Sequence, residues 1–367
     1  MKVVCHGTEL NEALLKVSKA LPNKNINPVL EGIKISAKDD CITLYATDLD
    51  LAIEKKIAAD VLIEGEAVVQ GRKLSDLVRT LTNEQVELFL TERKELKVKY
   101  TDSEAYIPCY PTEEYPSFEK INKCEAFCIL SKELKELIGK TLFAASTEDS
   151  RPVLKGCLLE VEKFSLSAIA LDGYRLATAK KPLEKSTKEQ NVIVPAKSLG
   201  ELSKLLDDDD TIVTVSIEGT SLSVDFGHTA LTTRLLSGEF INYKQIIPRE
   251  FNTNITVSKE QLGDGVERAS IFAKQDKNNL VKMDIKEKMM IISSATAAEE
   301  GKLKENISVS LEGKDISIAF NARYLADCMK AIDDEFIKIN FTSPVAPCII
   351  TPCEGEEYMY LILPVRI

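Results

Sequence analysis

Asn27-Pro28-Val29-Leu30-Glu31-Gly32-Ile33-Lys34-Ile35 returns as Arg151-Pro152-Val153-Leu154-Lys155-Gly156-Cys157-Leu158-Leu159, and in weaker form as Asn278-Asn279-Leu280-Val281-Lys282-Met283-Asp284-Ile285. Leu30 and Leu154 lie 124 positions apart, Leu154 and Leu280 lie 126 apart. A second marker keeps the same period. Gly71-Arg72-Lys73-Leu74 leads into Leu77 and Leu81, Ala196-Lys197-Ser198-Leu199 into Leu202 and Leu206, and Ala322-Arg323-Tyr324-Leu325 into Met329 and Ile332. A third marker is a helix start: Thr8-Glu9-Leu10, Ser131-Lys132-Glu133-Leu134 and Ser258-Lys259-Glu260-Gln261, the last a capping box. Three markers at one period predict three similar domains of about 125 residues each, an ordinary domain size. We place them at 1–122, 124–248 and 250–367, with polar, Pro-bearing joints at Pro116–Lys123 and Pro248–Glu250.

Within each repeat a short strand such as Ala126–Leu130 precedes a helix with apolar residues at helical spacing: Leu10, Leu14, Val17 and Leu21 in the first, Leu134, Leu137, Ile138 and Leu142 in the second. Alternating strands follow (Ile33/Ile35, Ile42/Leu44), then a second helix near position 72, 197 or 323. More strands close the repeat: Val86, Leu88 and Leu90; Val213, Val215 and Ile217; Ile337, Ile339 and Phe341. Two helices on one face of antiparallel sheet make an α+β unit.

The chain has 367 residues, 44% of them hydrophobic and 29% charged, with a net charge of −11. That composition supports packed cores and excludes a globally basic nucleic-acid binder, but not a locally basic face. No apolar run reaches the roughly 18 residues a membrane helix needs, and the N-terminus turns polar too soon for a signal peptide. Nine scattered cysteines, an odd number, point to reduced thiols and a cytoplasmic location. The close pairs Cys124/Cys128 and Cys348/Cys353 have neither the spacing nor the nearby histidine of a zinc site. No metal and no cofactor is expected.

Enzyme chemistry finds little footing. Only His6 and His228 are available for acid–base work. Gly139-Lys140-Thr141 resembles the end of a phosphate loop, but Leu134 stands where that loop needs Gly. Asp207–Asp210 reads as a solvated loop after a helix, without the spaced oxygens of a calcium site. No catalytic residue is assigned.

Charge is unevenly distributed. The windows 8–20, 71–82, 131–145, 196–206, 258–274 and 322–332 hold 15 Lys/Arg against 10 Asp/Glu, so the helices carry +5 and the remainder −16. Basic helices on an acidic protein can hold a polyanion if they share a surface; they can also be ordinary solvated faces. Suppose the helices line a ring. Six, packed roughly 8–10 Å apart, leave an opening of about 7 Å, too narrow for a duplex. Twelve, from two chains, leave on the order of 25 Å, enough for double-stranded DNA. Such a ring requires a head-to-tail homodimer.

With these features in place, the sequence resembles the β subunit of bacterial DNA polymerase III, the sliding-clamp family, over essentially its whole length. The resemblance is carried by Ala46-Thr47-Asp48-Leu49, Leu171-Asp172-Gly173-Tyr174-Arg175-Leu176-Ala177, Val192-Ile193-Val194-Pro195 and the ending Tyr360-Leu361-Ile362-Leu363-Pro364-Val365-Arg366-Ile367. It implies a DNA-clamp fold of three domains, closed as a ring-shaped head-to-tail homodimer with helices lining the hole. It also implies a non-catalytic processivity factor that encircles duplex DNA without sequence specificity. Its partners would be a polymerase III alpha-type subunit, an ATP-using clamp loader and other proteins bearing a clamp motif, a short peptide with a Gln and apolar anchors.

By this resemblance the peptide groove uses Leu154, Gly173, Tyr174, Arg175, Leu176, Ile241, Ile246, Leu361, Ile362, Leu363, Pro364, Val365 and Arg366, with Arg175 and Arg366 giving hydrogen bonds at its rim. Gln245 stands where many relatives carry Arg, and Leu171 where some carry Thr. The DNA-contacting set is Lys24, Arg72, Lys73, Arg151 and Lys197, touching phosphates rather than bases. Pro152-Val153 replaces a Tyr pair found in some relatives. The dimer seam joins the strand near Ala105–Pro108, with Ile107, to the third domain's first helix and following strand, with Ile271, Phe272, Glu299 and Glu300; Lys302 and Lys304 interrupt the acidic cluster there. The competing expectations are an acidic peptide-binding scaffold without a DNA role and a carboxylate- or cysteine-dependent enzyme.

Overall fold

The computed structural model describes residues 1–22, 27–81, 83–118, 126–273, 279–295 and 301–366. The first repeat runs β1 (Lys2–His6), α1 (Gly7–Val17), β2 (Gly32–Lys38), β3 (Cys41–Thr47), β4 (Leu51–Ala58), β5 (Asp60–Ile63), β6 (Gly65–Gln70), α2 (Gly71–Val78), β7 (Gln85–Leu90), β8 (Glu95–Tyr100) and β9 (Ser103–Tyr110). The second runs β10 (Phe127–Leu130), α3 (Ser131–Gly139), β11 (Gly156–Glu162), β12 (Ser165–Leu171), β13 (Arg175–Pro182), β14 (Gln190–Pro195), α4 (Ala196–Leu205), β15 (Ile212–Glu218), β16 (Ser221–Phe226) and β17 (Thr229–Arg234). The third runs β18 (Thr253–Ser258), α5 (Lys259–Ala273), β19 (Leu280–Lys286), β20 (Met289–Ala295), β21 (Lys302–Gly313), β22 (Ile316–Asn321), α6 (Ala322–Lys330), β23 (Phe336–Phe341), β24 (Cys348–Pro352) and β25 (Tyr358–Ile362). Each repeat is thus one motif used twice, a strand, a helix and three strands, with β5 as an extra short strand in the first, a subdivision finer than the sequence period.

The elements follow from local chemistry. Leu10, Leu14 and Val17 fall on one face of α1 and are buried. The cap of α1 is His6, whose Nδ1 accepts from the Thr8 N–H at 3.4 Å, so Thr8 itself does not cap. Gly7 is required: a Cβ there would lie 2.0 Å from the Leu81 carbonyl oxygen. Before α5, Ser258 Oγ accepts from the Gln261 N–H at 3.4 Å, as the capping pattern predicts. The predicted window 131–145 overshoots, since α3 ends at Gly139 and Lys140 is buried, pairing with Glu136. That burial removes Lys140 both from the cationic helix surface and from any phosphate loop.

Two compact units emerge, Met1–Lys132 with Glu201–Leu235, and Glu133–Gly200 with Leu236–Ile367. In the first, β17 of the middle repeat pairs antiparallel with β4, Thr229 opposite Lys55 through Thr233 opposite Leu51. In the second, β25 of the last repeat pairs with β13, Arg175 opposite Ile362 through Ala179 opposite Tyr358. The middle repeat is shared: β10 and β15–β17 belong to the first unit, β11–β14 to the second. In the first unit α1 packs on β3 and β4 and against α2; in the second α5 packs on β19–β21 and against α6.

Candidate partner groove and nucleic-acid face

The β13–β25 ladder positions the groove. Residues opposite one another in a ladder share a face, and neighbours along a strand alternate. Leu176 and Leu361 are opposite partners and enter one apolar cluster with Leu154, Leu158, Ile169, Leu171, Ile193, Tyr243 and Ile349. Val153, Leu236, Phe240, Ile247, Phe251 and Met359 pack around it. The same unit leaves large apolar side chains in solvent: Tyr174 is 56% exposed, Ile241 37%, Ile246 45% and Leu363 38%. Pro364 and Val365 are half-buried, Arg366 and Gln245 exposed. Leu154, Gly173, Tyr174, Leu176, Ile241, Ile246, Leu361 and Leu363 therefore belong to one unit, Leu154, Leu176 and Leu361 within its buried apolar cluster.

Two expected groove residues face the other way. Ile362 is fully buried on the opposite face of β25, as alternation from Leu361 demands. Its partner Arg175 shares that face and is only 8% exposed. The Arg175 Nε lies 3.0 Å from Asp172 Oδ2, Nη1 lies 2.6 Å from Asp327 Oδ2, and Nη2 donates to the Phe143 carbonyl at 2.7 Å. The guanidinium is held between the Phe143 and Tyr324 rings, 5.4 and 4.7 Å from their centroids. Arg175 is thus not the rim donor the sequence suggested; it is an internal brace.

What Arg175 braces is the turn between β12 and β13. Asp172 Oδ1 accepts from the Tyr174 and Arg175 N–H groups at 2.9 and 3.0 Å, and Gly173 sits at φ +94°, where glycine is favoured. The turn offers the Tyr174 carbonyl to the Leu363 N–H at 2.9 Å and stacks the Tyr174 ring on Tyr324 at 6.0 Å between centroids. Tyr324, on α6, packs against Tyr174 and Arg175 and was missed; nothing in its sequence spacing separates it from a surface helix tyrosine. At the other end Tyr243 Oη donates to Glu160 at 2.9 Å, and burial followed by that carboxylate pushes the phenol's pKa up.

Behind the ladder runs a second charged network. Lys140 contacts Glu136, lies 3.9 Å from Glu357 and sits 5.2 Å from the centroid of the Tyr358 ring; Lys181 on β13 lies 2.6 Å from Glu136. Burial pushes the Glu136 carboxyl up, but the two lysines outweigh it and hold it below its ordinary value.

Of the DNA-facing candidates, Lys24 lies outside the described residues. Arg72, Lys73, Arg151 and Lys197 are exposed. Arg72 and Lys73 are the second and third residues of α2, and Lys197 is the second of α4. The equivalent second residue of α6, Arg323, is exposed too and completes the pattern. A cation in a helix's first turn opposes the helix dipole by roughly 0.3–1 kcal/mol, so its recurrence in all three repeats runs against helix stability. An anion arriving there meets both the side chain and the N-terminal N–H groups.

For the seam, Ile271 is 62% exposed on α5 and Phe272 half-buried. Ile107 is a correction: its side chain is 5% exposed and faces inward, opposite Leu96, while its neighbour Tyr106 is the exposed one. Glu299 and Glu300 lie outside the described residues. Asp207–Asp210 is exposed as expected, with Asp210 2.6 Å from Lys132 and Asp209 accepting from the Thr211 N–H. Among the described residues no cluster of three potential metal ligands occurs, and no helix is long and apolar enough to cross a membrane.

Family models of the DNA polymerase III beta subunit match in order: the N-terminal domain over residues 1–119, the central domain over 128–242 and the C-terminal domain over 244–366. The Beta sliding clamp of Bacillus subtilis (strain 168) is 33% identical over 376 residues, covering 100% of both chains. The crystal structure of the DNA polymerase sliding clamp from Bacillus subtilis superposes with a TM-score of 0.97 at 32% identity, over 100% of this chain and 99% of that one. The beta subunit from DNA polymerase of Streptococcus pyogenes gives 0.96 at 27% identity over 100% of both. The chain therefore belongs to the DNA polymerase III beta subunit family, with its three-domain clamp fold of helices on antiparallel sheet, and its function is that of a sliding clamp, a DNA polymerase processivity factor in replication.

Proposed function

We propose that the chain, with domains at 1–122, 124–248 and 250–367, pairs head to tail with a second copy to close a ring around duplex DNA. The observation that carries this is a strand position left over at each end. Repeats join by one rule: the last strand of a repeat pairs with the fourth strand of the repeat before it, β17 with β4 and β25 with β13. The corresponding last strand of the first repeat is β9, and the corresponding strand of the third is β21. Among the described residues, Ser103–Pro108 of β9 pair only with β8, and Lys302–Ser308 of β21 only with β20. The same rule applied between two copies uses both open edges, with exposed Tyr106 on one and Ile271 beside the other.

Basic residues opening α2, α4 and α6, with Lys24 and Arg151, would meet phosphates through weak, exchangeable contacts that read no sequence and permit sliding. The groove on β13 and β25 would hold the apolar anchors of peptides from the polymerase, a clamp loader and other clamp-motif proteins. The action is topological, needs no catalytic residue, metal or cofactor, and takes place in the cytoplasm. The test is retention on nicked circular DNA. Protein loaded there is expected to leave when the circle is cut; protein that stays on the linear product contradicts encirclement.

A further inference from the structure

Resting on the peptide-groove assignment above, we propose that Asp327, on α6, is a positioning residue for that groove: through Arg175 it fixes the Asp172–Tyr174 turn that forms one wall. The turn can be compared with its counterpart in the first repeat. There Asp48 Oδ1 accepts from the Asp50 and Leu51 N–H groups at 3.1 and 2.8 Å, and Leu49 takes the positive φ, +79°. Leu51 occupies the place of Arg175. The same backbone pattern is therefore followed there by an aliphatic residue in place of Arg175. The Arg175–Asp327 ion pair is thus not part of the Asp-to-backbone pattern that the two turns share.

Asp327 and Tyr324 are three residues apart on α6 and share a helix face. Asp327 takes the Arg175 Nη1 at 2.6 Å, Tyr324 takes the Tyr174 ring, and the guanidinium lies over the Tyr324 ring at 4.7 Å. One helix face thus grips the turn at two points. It sets the Tyr174 ring, 56% exposed, and the Tyr174 carbonyl that receives Leu363. Without Asp327 the guanidinium keeps Asp172 and the Phe143 carbonyl, so the turn persists but loses its tie to α6. A binding wall held less firmly orders only on binding, and affinity falls by that cost.

The test measures anisotropy of a fluorescein-labelled synthetic peptide carrying one Gln and Leu/Phe anchors, using the full chain. Asp327→Asn is expected to weaken binding about tenfold, the loss of one charge-assisted hydrogen bond. Asp327→Glu should restore it to within about threefold, and in an Arg175→Leu background Asp327→Asn should have no further effect. Thermal unfolding of each variant reports whether it folds. Wild-type affinity in Asp327→Asn, or a Glu variant as weak as the Asn variant, overturns the proposal. Ile246→Asp is the control for the groove: if it binds like wild type, the groove assignment fails and the positioning role falls with it.

Discussion

The two intrachain joints share a frame and differ in one face. β4–β17 and β13–β25 are antiparallel ladders of equal length, each adjoining an Asp-stabilised turn. At β13–β25 the pair Leu176 and Leu361 is itself part of a buried apolar floor with Leu154, Ile169, Leu171 and Ile193. At β4–β17 the equivalent pair is Ala52 and Thr232, in a cleft of about 700 Å³ lined by Ser36, Lys38, Thr43, Tyr45, Glu54, Lys56 and Asp225. Nearby, Val29, Val68 and Tyr115 form only a small apolar cluster with Tyr45 and Tyr110. Repetition thus builds the frame, and the alternate side chains of one joint give it the apolar floor proposed to hold a peptide. Among the described residues that cleft is lined by a mixture of charged and polar side chains with Tyr45, Ala52, Phe118 and Ala230, a less apolar setting for such an anchor.

The contrast can be broken most severely behind the groove joint. Glu136→Gln leaves buried Lys140 without its near carboxylate and is expected to cost about 3 kcal/mol in urea unfolding. The same group sets a pH dependence. Its folded-state pKa is depressed, so its contribution is fully present above the unfolded carboxylate value near about 4.3 and fades as pH falls through the folded value. Glu136→Gln should flatten that acid limb, seen as a smaller loss of urea midpoint between neutral and acid pH. An unchanged limb would show that the network is not coupled to folding.

Next in size, Ile246→Asp at the groove rim should weaken peptide binding about thirtyfold or more while leaving the unfolding midpoint near wild type, because the side chain is exposed. In the polar joint, Thr232→Asp should leave peptide affinity unchanged in the same titration. Equal losses would erase the distinction between the joints. Charge reversal of Arg72, Lys73 and Lys197 should lower DNA retention, with the log–log salt slope falling by roughly one for each phosphate no longer neutralised. No change would favour an acidic scaffold without a DNA role. The smallest effect is expected at Tyr115→Phe, which removes the buried hydrogen bond to the Gly32 carbonyl at 2.7 Å, about 1 kcal/mol by thermal or urea unfolding.

Much of this frame was legible beforehand. Leu10, Leu14 and Val17 announced α1; Pro-Val-Leu marked corresponding places in the first two repeats, and the basic helix starts marked them in all three. Strand partners were not legible, because alternation tells which face a residue takes but not which strand lies beside it. Hence the sharing of the middle repeat between two units emerged only in three dimensions. Within the groove, Ile362 could have been set aside by counting two from Tyr360 once Leu361 was placed on the floor. Arg175 could not, since an arginine buried against carboxylates distant in sequence looks the same as one at a rim. Ile107 was misplaced for a related reason: the open edge of β9 is backbone, while that side chain points into the domain.

Sedimentation equilibrium across the micromolar range tests the open-edge rule most directly. Pairing of β9 with β21 between copies predicts a species of twice 40.7 kDa. A single species of 40.7 kDa at every concentration would contradict it.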